Sequence, residues 1–278
     1  MPGAADRPRP DFRPDLEGLR GVAILLVVLF HAGVPGFAGG FVGVDVFLVL
    51  SGFLATRALA RELDKTGRIG LADFWARRAA RLLPALFLVV AATLALVWAF
   101  WAPIDRAPAA ATARAVALSG ANVELASRGV HYFGSRDDPL LHTWSLGVEQ
   151  QFYYLWPLLL LLVALVAERR PRALPWGVAL AGLASLAASW WLTGAQSAWA
   201  YYGLATRLWE FALGGLVALT PGAPSPRTAP VLPAAGLALV AAAVWAFDGT
   251  LPYPGLAALV PTLGAAAGVG AGPAKSER

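Results

Sequence analysis

The chain has 278 residues, of which 58% are hydrophobic and 14% charged, with 22 Lys and Arg against 17 Asp and Glu. Ordinary soluble domains carry about 25% charged residues, so a water-soluble globule is excluded and an integral membrane protein is expected. The net charge of +5 fits basic cytoplasmic loops better than nucleic-acid binding, and the lack of cysteine excludes disulfides, thiolate nucleophiles and cysteine metal sites.

The expected fold is all-α, a polytopic transmembrane bundle of about eight spans. Their approximate limits are 19–36, 41–60, 82–101, 145–167, 174–192, 202–220, 229–247 and 255–271. Residues 1–18 and 272–278 then flank a membrane domain covering 19–271. With the N-terminus inside, 17 basic residues fall on the cytoplasmic side and 4 outside, which places both termini in the cytoplasm. Residues 61–81 ("RELDKTGRIGLADFWARRAAR") read as a basic cytoplasmic connection forming an interfacial amphipathic helix. Residues 102–143 form the one sizeable external loop, with a surface helix expected in its Ala-rich stretch at 107–118. "PGAPSPRTAP" at 221–230 reads as a Pro-rich turn.

The first span contains an arginine and a histidine, Arg20 and His31, separated by ten uncharged residues. Eleven helical positions advance about 16.5 Å and return to within about 20° of the starting face, so the two share one stripe. Ionisable side chains inside a span are functional candidates, although Arg20 also reads as a cytoplasmic anchor that snorkels to headgroups. Asp45 lies one turn into the second span, where it is expected to meet His31 and orient its imidazole. A helix N-terminal carboxylate favoured by the macrodipole is the alternative for Asp45.

Arg78 and Arg81 stand at i, i+3 before the third span, spaced to hold a phosphorylated ligand. Contact with anionic lipid explains the same charges. "DDPLLHTWSLGVEQQFYYLWPLLLLL" places His142 and Glu149 near one helical face, with Tyr153 beside them, a set suited to a sugar-like acceptor or a proton relay. An aromatic belt explains the tryptophans and tyrosines but not Glu149. Arg207 and Glu210 stand at i, i+3 in the sixth span, as substrate contacts or as a structural bridge. Three scattered histidines do not make a metal cage.

Taken in order, "FRPDLEGLRGVAILLVVLFH", "GGFVGVDVFLVLSGFL", "FWARRAARLLPAL", "PLLHTWSLGVEQQFYYLWPLLL" and "TRLWEFALGG" closely resemble the acyltransferase 3 family of bacterial membrane O-acyltransferases. The resemblance runs from about residue 12 to 265. It implies transfer of an acyl group, often acetyl, from cytoplasmic acyl-CoA as donor substrate, with no bound cofactor. The acceptor it implies is a hydroxyl of a cell-envelope carbohydrate or a glycoside, and the location it implies is the bacterial cytoplasmic membrane. In that frame His31, Asp45 and Glu149 are the catalytic candidates. Arg13, Arg20, Arg78 and Arg81 hold the donor, and His142, Tyr153, Arg207 and Glu210 are candidates for the acceptor. Family members usually run to about ten spans and end in an aromatic-rich pair, whereas this chain reads as lacking the last two. The competing readings are a proton-coupled transporter or acyl carrier without catalysis, and an inactive shortened member that binds a partner. Dependence on acyl-CoA separates them.

Overall fold

In the computed structural model the described residues are 13–134, 138–166, 173–220 and 230–270, and no strand occurs among them. Arg169, Arg170, Arg172, the turn at 221–229 and both chain ends lie outside the described residues. The helices are α1 (Pro14–His31), α2 (Gly43–Thr66), α3 (Leu71–Phe100), α4 (Pro103–Ala117) and α5 (Ala121–Ser127). They continue with α6 (Trp144–Val166), α7 (Ala173–Gly194), α8 (Ala198–Tyr202), α9 (Leu204–Leu219), α10 (Val231–Ala246) and α11 (Leu259–Gly270).

Each of the eight expected spans contains a helix. Four segments are long and apolar enough to cross a bilayer: Gly40–Thr66, Leu71–Phe100, Leu141–Val166 and Ala173–Gly194. The remaining four helices are shorter or more charged. α11 has 12 residues, about 18 Å of helix, well under a hydrocarbon core of about 30 Å. α1 starts at Pro14, a proline that suits a first helical position, and stops at His31 rather than at 36. Gly33 and Gly36, both at positive φ around Pro35, turn the chain there.

The basic segment 61–81 does not form a separate interfacial helix. Residues 61–66 prolong α2, Gly67 caps it in the left-handed region, and 71–81 form the start of α3. The Glu62 carboxylate accepts the Gly70 N–H at 2.8 Å and fixes this corner. The Ala-rich helix in the 102–143 loop does form, starting earlier than expected, at Pro103.

α2 is the central helix, packed against α1, α6, α9 and α11. Its crossing with α9 is so close that a Cβ on Gly52 would strike the Phe211 backbone, and one on Gly214 the Val49 backbone. Such small-residue crossings let helices approach in a membrane, where dispersion and hydrogen bonds replace the hydrophobic effect between helices. α3 is the opposite case. Phe87, Leu88, Trp98 and Phe100 stand on its outer surface, an apolar face that a bilayer covers. The molecule is thus a helical membrane protein whose α1 and α6 stand beside a buried α2.

Candidate functional site

The candidate residues gather around two separate spaces. One is lined by α1, α2, α3 and α6, the other by the end of α1 and the segments that follow α1 and α5.

At the arginines of α1 and α3, a 350 Å³ cavity is lined by Arg20, Arg78, Arg81, Ser51, Glu149 and Tyr153, among others. Arg78 lies 3.6 Å from the Tyr153 ring centre and 4.7 Å from that of Phe74, a stacking that holds the guanidinium in place. Arg20 is bridged to Glu17 at 3.1 Å, one turn back on α1. Glu149 accepts the hydroxyls of Ser51 and of Tyr153, the latter at 2.8 Å. Ser51 is therefore part of this site as well. Arg13 is not: it pairs with Asp15 and reaches the Val269 carbonyl at 3.3 Å.

A smaller cavity of 190 Å³ shares Phe47 and Glu149 with the first and adds Val44, Leu48, Ser145 and Leu146. Val44 and Ser145 lie in the first turns of α2 and α6, so this space extends the arginine cavity towards the start of those two helices.

At His31 a 580 Å³ cavity is lined by His31, Tyr132, Phe133, Asp138 and His142, among others. His31 Nδ1 lies 2.8 Å from the Val27 carbonyl of its own helix. A carbonyl only accepts, so Nδ1 carries the hydrogen and, in the neutral imidazole, Nε2 is left with its lone pair. The Tyr132 hydroxyl lies 3.2 Å from that Nε2. Burial pushes the Tyr132 phenol up to about 12, so at neutral pH it keeps its proton and donates it to His31. Tyr132 is held by aromatic stacking, its ring centre 4.5 Å from that of Tyr201.

Asp45 does not orient His31. Its carboxylate accepts Arg207 Nη1 at 2.9 Å and the Tyr253 hydroxyl at 2.6 Å. The reason is the facing of α2. Gly40 and Gly43 lie against α1, where a Cβ would meet the Leu26 and Ala23 carbonyls. Two residues beyond Gly43 is about 200° around the helix, which turns Asp45 to α9. Arg207 also donates to Glu210 at 3.0 Å and to the Tyr201 carbonyl at 3.0 Å. Arg207 and Glu210 are 1% and 0% exposed, so they form a bridge inside the bundle and offer nothing to a substrate.

Glu149 and Tyr153 thus lie together in the arginine cavity while His142, expected beside them, lines the His31 cavity, and the Val27 carbonyl takes the orienting part expected of Asp45. Sequence reasoning missed Tyr132, whose signal was a Tyr-Phe pair inside a polar loop ("HYFGSRDDP"). It missed Asp138 as well, which accepts the Thr112 hydroxyl at 2.5 Å and the Leu140 N–H at 3.0 Å.

A basic cavity between α1, α2, α3 and α6 and a cavity at the histidine that ends α1 define the class: a multi-pass membrane protein with polar sites in its helical bundle. A family model described as an acyltransferase domain matches residues 13–272, and the chain belongs to the acyltransferase 3 family. It is 41% identical over 248 residues to a putative membrane-bound transacylase, BcsY, of Komagataeibacter xylinus, covering 87% of this chain and 59% of that protein. It is 36% identical over 214 residues to a putative O-acetyltransferase of Staphylococcus aureus strain MSSA476, covering 74% of this chain and 34% of that protein. With the O-acetyltransferase OatA of Staphylococcus aureus strain NCTC 8325 it shares 34% identity over 213 residues, 75% of this chain and 35% of OatA. The chain thus spans 59% of BcsY and about a third of these O-acetyltransferases. No solved structure matches it.

Proposed function

We propose that the protein is an O-acyltransferase of the bacterial cytoplasmic membrane, with eight spans and both termini inside. It takes an acyl group, acetyl by its relatives' names, from cytoplasmic acyl-CoA and passes it to a hydroxyl of a cell-envelope carbohydrate or glycoside. One observation carries this reading: Arg20, Arg78 and Arg81 converge on one cavity, and His31, eleven residues along α1 from Arg20, lines another together with Tyr132, whose hydroxyl meets its Nε2.

In this account Arg78 and Arg81 hold the nucleotide phosphates of the donor through charge-assisted hydrogen bonds. The pantetheine arm runs along α1, over the about 16.5 Å of helix from Arg20 to His31, and past Ser51 and Glu149. The acidic Glu149 disfavours phosphate farther along, which keeps the polyanionic end among the arginines. At His31 the acceptor hydroxyl displaces the Tyr132 hydroxyl from Nε2 and gives its proton to that nitrogen while its oxygen attacks the thioester carbonyl. The carbon–sulfur bond breaks and the CoA thiolate takes up the proton. Val27 fixes the imidazole for this task, general base catalysis worth about 10²–10⁴-fold. His142, in the same cavity, contacts the acceptor.

A second reading is favoured by the Tyr132 hydroxyl, which already occupies the position of a hydroxyl on His31. Here His31 takes the phenol proton, the phenolate attacks the thioester, and CoA leaves as the thiol. The acyl-Tyr132 ester is then attacked by the acceptor.

The test is incubation of the detergent-purified chain with acetyl-CoA radiolabelled in the acetyl group. The acyltransfer reading expects the thioester to be consumed, with water as a slow acceptor. A carrier without chemistry leaves it intact, and donor that neither binds nor reacts refutes the assignment.

A further inference from the structure

Asp45 on α2 and Glu210 on α9 both accept from the same nitrogen, Arg207 Nη1, at 2.9 and 3.0 Å. The three side chains are at most 1% exposed. Asp45 has its second oxygen satisfied by the Tyr253 hydroxyl at 2.6 Å. Glu210 does not: its Oε2 is buried without a hydrogen-bond partner. The two carboxyl groups crowd one donor nitrogen, and two ionised carboxylates have no hydrogen to share between them. Both charged, they would leave one net negative charge in an apolar core, where an uncompensated charge is prohibitive.

We propose that Glu210 is a neutral carboxylic acid at working pH, carrying on its second oxygen a proton that it donates towards Asp45. The core is then balanced, with Arg207 positive, Asp45 negative and Glu210 uncharged. Asp45 keeps the charge because two donors stabilise its anion, whereas Glu210 receives only one. The missing partner of Oε2 is this proton's place.

The pair connects to the site above it. The Arg207 guanidinium lies 4.9 Å from the Tyr201 ring centre, Tyr201 stacks on Tyr132, and Tyr132 reaches His31. Glu210 is thus a positioning residue that acts through Arg207 and Tyr201. That consequence rests on the acyltransfer reading, but the proton itself does not.

Infrared spectroscopy of the detergent-purified full chain tests the proton directly. The expected result is a carboxylic-acid C=O band that persists at alkaline pH, where exposed carboxyls are ionised. It moves when the chain is labelled with ¹³C-glutamate, stays when ¹³C-aspartate is used, and is lost in Glu210→Gln. Glu210→Gln, a neutral group able to donate its amide hydrogen to Asp45, should melt with the wild type. The double variant Asp45→Asn with Glu210→Gln strands Arg207 and should melt far lower. Absence of the band in wild-type protein overturns the proposal, as does its movement with the aspartate label or its survival in Glu210→Gln. Because the wild-type labelling needs no variant to fold, a misfolded Glu210→Gln leaves the decision intact. Loss of acetyl-CoA turnover with the band present would count against the acyltransfer reading alone.

Discussion

Arg207→Met removes a cation that ties α2 to α9. Arg207 makes hydrogen bonds to Asp45, Glu210 and the Tyr201 carbonyl and lies under the rings of Trp144, Tyr201 and Tyr253. Methionine fills much of the volume but leaves the Asp45 carboxylate 1% exposed without a cation, with only neutral donors such as the Tyr253 hydroxyl. Breaking a buried pair from one side costs about 3–5 kcal/mol, because the remaining charge must be neutralised or hydrated. At roughly 2–4 °C per kcal/mol for a large domain, the melting point should fall by about 10 °C. Thermal unfolding of the detergent-solubilised protein, followed by tryptophan fluorescence, reads this out. A fall of under about 2 °C would mean that the pair is not buried as described, and the facing of α2 would have to be revised.

Gly52→Leu should destabilise by more than the about 1–3 kcal/mol usual for overpacking, since the obstacle at Gly52 is the Phe211 backbone rather than a side chain; the same melting assay checks it. Tyr132→Phe deletes the hydroxyl at His31. Direct transfer expects loss of a hydrogen bond worth about 0.5–1.5 kcal/mol, a rate drop of up to about tenfold, whereas the relay through Tyr132 expects turnover at background. Since burial pushes the Tyr132 phenol up to about 12, it stays protonated to about pH 10. Wild type and Tyr132→Phe should therefore share the same alkaline behaviour below that pH in a rate profile. Arg78→Ala and Arg81→Ala should each raise KM for acetyl-CoA, with the wild-type KM rising with salt as screening weakens the phosphate contacts. A KM unchanged in both variants would remove the arginines from the donor site.

The helices were legible because apolar runs of span length leave few alternatives, and Arg78 with Arg81 could be placed on one face by i, i+3 spacing alone. The convergence of Arg20, carried by α1, with those two depended on how α1 and α3 stand beside α2, which spacing along one chain segment does not encode. Asp45 shows the limit most clearly. Its position one turn into α2 was readable, but its partner depends on which face Gly43 and, just before the helix, Gly40 give to α1. Once they face Ala23 and Leu26, Asp45 has to face α9. Tyr132 was hidden for another reason: it lies in an irregular stretch between α5 and α6, where no periodicity marks a buried side chain, and its value comes from His31, 101 positions away in sequence. Glu149 was readable as a carboxylate at the start of a span, whereas its bond to Ser51 required the contact of α2 with α6.

The proposed function divides donor binding and chemistry between the arginine cavity and the His31 cavity, and steady-state kinetics of His31→Ala beside Arg78→Ala with acetyl-CoA tests it most directly. The account predicts that His31→Ala lowers kcat by about 10²–10⁴-fold with KM for acetyl-CoA close to wild type, while Arg78→Ala does the reverse. Equal kcat for wild type and His31→Ala, in protein that melts normally, would contradict it.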